Sequence, residues 1–571
     1  MAYAPVYLLR ATCEDSKLDK LRAGVRYVPN LLAGLVAGLA AAAVTTLLMA
    51  LSRYYLGIMP PPEAVPDRIA SMLDIQTFFS LFNKYGGYNG LKQFGIVAGL
   101  RTLFATGAIV GVIYAIVSEL PPVRRSPKRI LGASLPAFLF MAVAILVVWV
   151  AFVIFLWPVL SANYRGLPYT QARIVSIVAL LVWFGAFGAT VLGIYRFIVA
   201  RTWRAETSDG KTDTGPESIA ERGDVRPRRA VLAAASGGVL AWPIYSLLRR
   251  MYDDATFTYD GTVYSGPDLQ PITPTESFYS VTKNVVDPDV NRDLWRLEIA
   301  GHVDSPQTYS FEDLQEFEQV DQETTLMCIS NKLAAGLFSN ANWRGVRMRD
   351  LIEASGLKDG AYEVVINGAD AYRDTFDIEK AMSDETLVVY EINGEPLPRK
   401  HGYPVRVIVP GRYGEKNVKW VTRIDVATGD VQGFYESQGW GPNFQPRTRS
   451  DIFAPAVRRP PGNVATFEFP ETFTAGRTVT IKGRAFSPGN GISSVEVSTD
   501  DGQTWNPAEI FYPGTIWTWS QWQFEWTPSA PGEYVIISRC TDGNGAPQEA
   551  EVISTVPQGA SGYMRTMAMV V

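Results

Sequence analysis

Four apolar runs, at about 30–51, 94–118, 131–160 and 174–199, constrain this 571-residue chain more than any other feature. Each reaches the roughly 20 apolar residues needed to cross the hydrocarbon of a bilayer. A fifth run, about 230–248, is shorter and richer in small residues. From about residue 251 onward the chain reads as soluble globular protein, rich in Trp, Tyr, Gly and Pro. The expected architecture is therefore a helical transmembrane bundle followed by globular domains. Between the first two runs, Ile69, Met72, Leu73, Ile75, Phe78, Phe79 and Phe82 recur at helical spacing. Residues 68–85 are accordingly expected to form one amphipathic helix lying at the membrane interface.

Basic residues set the expected orientation. Arg10, Lys17, Lys20, Arg22 and Arg26 fill the N-terminal segment 1–29. Arg124, Arg125, Lys128 and Arg129 fill the next alternate loop, and Arg201, Arg204, Lys211, Arg222, Arg226, Arg228 and Arg229 the one after that. This predicts a multi-pass protein of the cell membrane. Its N-terminus is cytoplasmic, its four-helix region spans 30–200, and a flexible cytoplasmic linker covers 201–229. A fifth span at 230–250 leaves the remainder extracytoplasmic. Arg228-Arg229-Ala230-Val231-Leu232 resembles a twin-arginine export signal placed inside the chain, although paired arginines also serve as ordinary positive-inside anchors.

A net charge of −5 without a basic stripe in the soluble part argues against a nucleic-acid partner. Cys13, Cys328 and Cys540 are far apart and odd in number, which argues against a disulfide framework. The two histidines, His302 and His401, lie outside the apolar runs, so the spans offer no ligands for a b-type haem. Neither haem nor an iron–sulfur cluster is expected.

In the soluble half, Trp295–Gly301 alternates as a strand. Ser310 N-caps a short helix with Asp313 at its third position. Cys328 lies in the next strand, and a second helix falls at about Met348–Ser355. Asn393-Gly394 suits a type I′ hairpin turn between flanking apolar residues. In residues 461–571, short strands at regular spacing, with Asp501-Gly502 as one turn, predict an all-β immunoglobulin-like sandwich. Its Trp505, Trp517, Trp519, Trp522 and Trp526 are expected to supply mostly core.

The continuous segment Pro396–Trp420, Pro-Leu-Pro-Arg-Lys-His-Gly-Tyr-Pro-Val-Arg-Val-Ile-Val-Pro-Gly-Arg-Tyr-Gly-Glu-Lys-Asn-Val-Lys-Trp, resembles the molybdopterin-binding segment of the sulfite oxidase family. The resemblance implies an α+β molybdopterin domain at 251–460 and a dimerisation domain at 461–571, with a homodimer formed through the latter. It implies that Cys328 is a thiolate ligand to molybdenum. It places cofactor contacts on Tyr279, Ser280, Asp370, His401, Arg406, Asn417, Val418 and Lys419. Elementary chemistry agrees. A thiolate matches a soft metal site, Arg406 and Lys419 offer a fork and a point charge to a pterin phosphate, and Gly411 and Gly414 let backbone N–H groups approach an anion.

Where the family has a substrate-binding arginine, this chain has Ser280-Val281-Thr282, with Lys283 the nearest cation. An ungapped count puts Trp440 at the place of the family's catalytic tyrosine, with Tyr435 close by. Lys332, Arg412 and Lys416 are the candidate replacements for the lost anion pocket. The resulting expectation is a membrane-anchored molybdenum–molybdopterin oxidoreductase. It would transfer oxygen atoms on a small substrate and exchange electrons with a partner such as a cytochrome or a membrane subunit. Reduction of an S- or N-oxide, or a non-catalytic role in assembling a membrane redox complex, are the alternatives.

Overall fold

The structure, a computed structural model, describes residues 7–130, 133–208, 246–247, 249–261, 269–454 and 472–571. The twin-arginine pair, the linker beyond Ser208 and the fifth apolar run up to Tyr245 lie outside the described residues. The chain divides into two compact units, one of 1–64, 95–157 and 174–253, the other of 65–94, 158–173 and 254–571.

The first unit is helical. Among the described residues four helices are long and apolar enough to cross a membrane: Val28–Leu56, Asn89–Glu119, Leu135–Val159 and Tyr169–Ala200. They fall on the four apolar runs. Small residues set their closest approach. A Cβ added to Gly38 would lie 1.9 Å from the Gly107 carbonyl oxygen, and one added to Gly111 would lie 2.0 Å from that of Gly34. Gly34 with Gly38, and Gly107 with Gly111, have small-xxx-small spacing, which lets two backbones touch where lipid provides no hydrophobic drive for association. Ala33, Ala37 and Ala41 line the same buried stripe, with Tyr114, Met141 and Tyr195 around it. Val143, Val147, Ile154, Val178 and Val182 point outward and are exposed, as lipid-facing side chains would be.

The second unit holds two five-stranded sheets followed by two four-stranded ones. In the first sheet Gln319–Met327, Phe338–Arg347 and Leu387–Ile392 run antiparallel, and Arg406–Ile408 adds to the last of these. In the second, Val421–Ala427 lies at the centre. It pairs parallel with Leu297–Gly301 and antiparallel with Glu363–Gly368. Trp295, Leu297, Ile299, Val346, Leu351, Ile366, Val407 and Ile424 form the core of this part. Ser310 and Asp313 make the reciprocal capping box, at 3.2 and 2.7 Å. Asn393 and Gly394 both take positive φ, 52° and 80°, as the hairpin turn requires. The second helix runs Met348–Ala354.

The C-terminal part has the sheets Arg449–Ala454, Val479–Phe486, Ser520–Trp526, Glu509–Tyr512 and Asn506–Pro507, Ile492–Ser498, Gly532–Asp542, Met564–Val570. All neighbours in them are antiparallel. Ile452, Ile481, Val495, Val497, Trp522, Ile536 and Cys540 from both sheets share one core. Cys540 is therefore packing.

Residues 65–94 depart from expectation. The single interfacial helix is instead two, Pro61–Ala70 and Ile75–Lys84, separated where Asp74 caps the second by accepting from the N–H groups of Gln76 and Thr77. A side chain that satisfies orphan N–H groups at a helix start ends any continuous helix there. Part of the apolar face is covered by protein, while Ile69 and Met72 are exposed. The Phe79 ring packs on Trp440 with centroids 5.6 Å apart. Gln438 donates to the Ala70 carbonyl at 3.1 Å, and Lys92 pairs with Asp260 at 2.6 Å in a buried ion pair. Residues 158–173 are likewise tied in. The Asn163 N–H donates to the Ala369 carbonyl at 2.8 Å and the Tyr164 hydroxyl to Asn284 at 3.0 Å.

Candidate active site

Several strand ends of the two five-stranded sheets converge on one cavity. Cys328 follows the strand Gln319–Met327 directly, and Asp370 follows Glu363–Gly368. Arg406 opens Arg406–Ile408, and Asn417, Val418 and Lys419 lead into Val421–Ala427. Cys328 was expected within a strand. It lies one residue past the end, where the ladder stops and its side chain is freed from pairing.

The cavity is lined by Cys328 and by all eight residues expected to hold the cofactor: Tyr279, Ser280, Asp370, His401, Arg406, Asn417, Val418 and Lys419. The Cys328 Sγ lies 3.1 Å from the Ser330 hydroxyl. Burial pushes its thiol up to about 12, Glu415 adds to the rise, and the hydrogen bond from Ser330 opposes it. Such a thiol is inert alone and becomes a thiolate only when a metal cation replaces its proton.

A buried arginine and a half-buried lysine face the same space without a carboxylate in ion-pair range among the described residues. The Arg406 guanidinium donates to the His401 carbonyl at 3.1 Å and the Asn417 carbonyl at 3.0 Å. Its Nε has no partner among the described residues. Burial lowers its pKa to about 10. Lys419 Nζ donates to the Lys400 carbonyl at 3.1 Å and reaches Ser280 Oγ at 3.4 Å, and burial lowers it to about 8. Uncompensated buried cations are costly and persist where an anion completes them. The thiol and this pair of cations therefore fit a group carrying both a soft metal and a phosphate.

The other residues hold that frame. His401 Nε2 lies 3.0 Å from the Thr275 carbonyl, so that nitrogen carries the proton. Burial first, then Arg406, Lys400 and Lys419, keep the ring far below the usual histidine range and hence neutral. Asn417 Oδ1 accepts from the Val409 N–H at 2.7 Å and its Nδ2 donates to the Tyr413 carbonyl at 2.9 Å, which braces the glycine-containing loop. Asp370 accepts from Asn284 at 2.9 Å and from the Tyr372 N–H at 3.0 Å. A Cβ on Gly414 would come 2.4 Å from the Tyr279 hydroxyl, so glycine is required for tyrosine to reach the cavity. Trp420 takes φ 53°, unusual for a bulky residue, with its indole N–H donating to the Arg399 carbonyl at 2.9 Å. Strained backbone of this kind clusters at binding sites.

Four residues proposed for the reaction lie elsewhere. Trp440 is buried in an apolar cluster with Met327, Ile329 and Phe444 and does not line the cavity. Arg412 pairs with Asp377 at 2.6 Å. Lys416 is held between Asp374 at 2.7 Å and Glu436 at 2.9 Å. Lys332 is exposed. In their place the cavity presents Lys283, Tyr372, Glu415 and Tyr435. Tyr435 was the near neighbour of the ungapped alignment, and a gap of five residues before Trp440 would have found it. Glu415 carried no signal, because the sequence Gly414-Glu415-Lys416 leaves open which of the two charged side chains turns inward. The 3-10 turn Gly414–Lys416 sends Lys416 to its carboxylates and leaves Glu415 at the cavity. Burial pushes Glu415 up to about 8, and Asp374 adds to the rise.

Comparison with known proteins agrees with this geometry. Residues 284–435 match the oxidoreductase molybdopterin binding domain, and residues 463–559 match the Mo-co oxidoreductase dimerisation domain. Mitochondrial sulfite oxidase of Rattus norvegicus is 31% identical over 306 residues, covering 48% of this chain and 56% of that protein. The NAD(P)H nitrate reductase of Hordeum vulgare is 28% identical over 306 residues, covering 44% of this chain and 34% of that protein. The chain thus spans little more than half the length of the sulfite oxidase it matches, 56%. The crystal structure of the sulfane dehydrogenase SoxCD from Paracoccus pantotrophus superposes with a TM-score of 0.46 at 23% identity, over 53% of this chain and 85% of that one.

Proposed function

We propose, from the matches of residues 284–435 and 463–559 to the molybdopterin binding and dimerisation domains, that this chain is a membrane-anchored molybdenum–molybdopterin oxidoreductase of the sulfite oxidase family acting outside the cytoplasm. The observation that carries this reading is the meeting of Cys328 with two cations, Arg406 and Lys419, that have no carboxylate in ion-pair range among the described residues, around one cavity. Cys328 would hold the metal. Arg406 and Lys419 would hold the phosphate, and His401, Asn417, Asp370, Ser280 and Tyr279 would orient the pterin. When bound, the cofactor supplies two-electron oxygen-atom chemistry. In balanced form, a substrate X and water give XO, two protons and two electrons, or the reverse. The electrons pass to or from a separate carrier, such as a cytochrome or a membrane subunit.

The protein's own part is to place that group, exclude bulk water and set which substrates enter. The two-sheet C-terminal domain is read as immunoglobulin-like, with dimer formation through it. The four long apolar helices are read as spans with a cytoplasmic N-terminus, a fifth span follows, and the Arg228-Arg229 pair is read as an export signal. Purified protein should contain molybdenum and an extractable pterin in step with chain concentration. Protein lacking both would refute the reading. A periplasm-dependent reporter fused after Val571 should be active and one fused near Lys211 inactive, whereas the opposite pattern would reverse the topology.

A further inference from the structure

Resting on the reading above, one wall of the cavity bears on how the cofactor is held. Residues 280–283 line the cavity, and Asn284 follows them directly. Three successive residues of this wall are gripped from behind. Asp260, paired with Lys92 at 2.6 Å, accepts from the Thr282 N–H at 2.9 Å. Lys283 forms a short ion pair with Asp67. Asn284 Oδ1 accepts from the Tyr164 hydroxyl at 3.0 Å. Lys92 and Asp67 belong to residues 65–94 and Tyr164 to 158–173, two segments that join apolar runs much earlier in the chain. All three touch the wall without lining the cavity.

From this wall the grip passes to Asp370. That residue sits on the turn between Glu363–Gly368 and Arg373–Asp377, where Ala371 takes φ 60°. A residue other than glycine keeps such a backbone only where its surroundings over-determine it. Here they do. Lys283 Nζ donates to the Asp370 carbonyl at 2.8 Å, and Asn284 Nδ2 donates to the Asp370 carboxylate at 2.9 Å. The Asn163 N–H, next to Tyr164, donates to the Ala369 carbonyl at 2.8 Å.

The Tyr164 hydroxyl also decides which way the Asn284 amide faces. Its hydrogen goes to Oδ1, which leaves Nδ2 to donate to Asp370 and, at 3.3 Å, to Asp287. A flipped amide would set its oxygen against both carboxylates. Tyr164, Asn284, Asp287 and Asp370 are all buried, so solvent does not substitute for a lost partner.

We propose that Tyr164 and Asp67 are positioning residues for the cofactor. Through Lys283 and Asn284 they fix the turn that presents Asp370 to the pterin, so the cavity retains its cofactor fully only when both segments are seated.

The test uses the full-length protein purified in detergent with its cofactor. Molybdenum and pterin left on the chain are measured after timed incubation and gel filtration. Tyr164→Phe and Asp67→Asn should each release both about tenfold faster than wild type, because each leaves a buried polar group of the wall without its partner. Each should also narrow the gap between the melting temperatures of the cofactor-loaded and cofactor-free protein, whereas a merely structural role lowers the two equally. Arg165→Ala removes an exposed ion pair of the same segment, with Asp289 at 2.5 Å, and should release as wild type does. Asp67→Asn keeps the test open if Tyr164→Phe folds poorly. Wild-type release in both variants, or release from Arg165→Ala as fast as from them, would overturn the proposal with the cofactor still present. Wild-type protein carrying neither molybdenum nor pterin would remove the parent reading and this inference together.

Discussion

Cys328→Ser is expected to abolish molybdenum retention and lower activity by at least about a hundredfold, while the chain still folds. Loss of groups that merely orient metal ligands costs about 10- to 100-fold, and loss of the ligand itself costs more. A hydroxyl is a poor match for a soft metal bound by sulfur. The fold should tolerate the change because Cys328 lies past the end of its strand and its Sγ is hydrogen-bonded to the neighbouring Ser330. Elemental analysis and circular dichroism of the same preparation check both halves. Normal molybdenum content in the serine variant would show that the thiolate is not the ligand.

Arg406→Met should weaken cofactor retention by about tenfold to a hundredfold, the cost of one or two charge-assisted hydrogen bonds to a phosphate. The apoprotein should lose less stability than the holoprotein, because the arginine is a buried cation without a carboxylate partner and its removal relieves desolvation. Thermal melts with and without cofactor compare the two. An equal loss in both forms would make Arg406 a structural residue only. Lys419 adds a pH dependence to the same grip. Burial lowers it to about 8, so it loses its proton as pH rises through that value. A phosphate binds the protonated form, and cofactor retention should therefore weaken above about pH 8. Lys419→Met should bind more weakly at neutral pH and lose this dependence.

The long apolar helices and the capped turns were legible because each is written in contiguous residues. The apolar runs became helices, Ser310 and Asp313 made their box, and Asn393-Gly394 took the two positive φ values of its turn. The lining of the Cys328 cavity was legible because Pro396–Trp420 packs much of it into one segment. The substrate side was not, for two physical reasons. Which of two adjacent charges faces a cavity depends on distant carboxylates, and Asp374 and Glu436 decide it for Lys416. The residue that neutralises Lys283 lies far earlier in the chain, and no spacing rule links Asp67 to it. The amphipathic pattern at 68–85 was real, but an apolar helical face does not say whether lipid or protein will cover it. Phe79 against Trp440 shows that protein covers part of it.

That covering has a consequence for how the molecule is made. Trp440, Asp260 and Lys283 receive their partners from Phe79, Lys92 and Asp67, which are synthesised before the fifth apolar run. On the proposed topology, the polypeptide after that run crosses the membrane later than the hairpin that meets it. Construction of the pocket is then a joining of two deliveries. A fragment begun at residue 254 would arrive with a buried carboxylate, a lysine and an indole all uncovered, so biogenesis of the complete wall requires both halves of the chain on the same side of the bilayer.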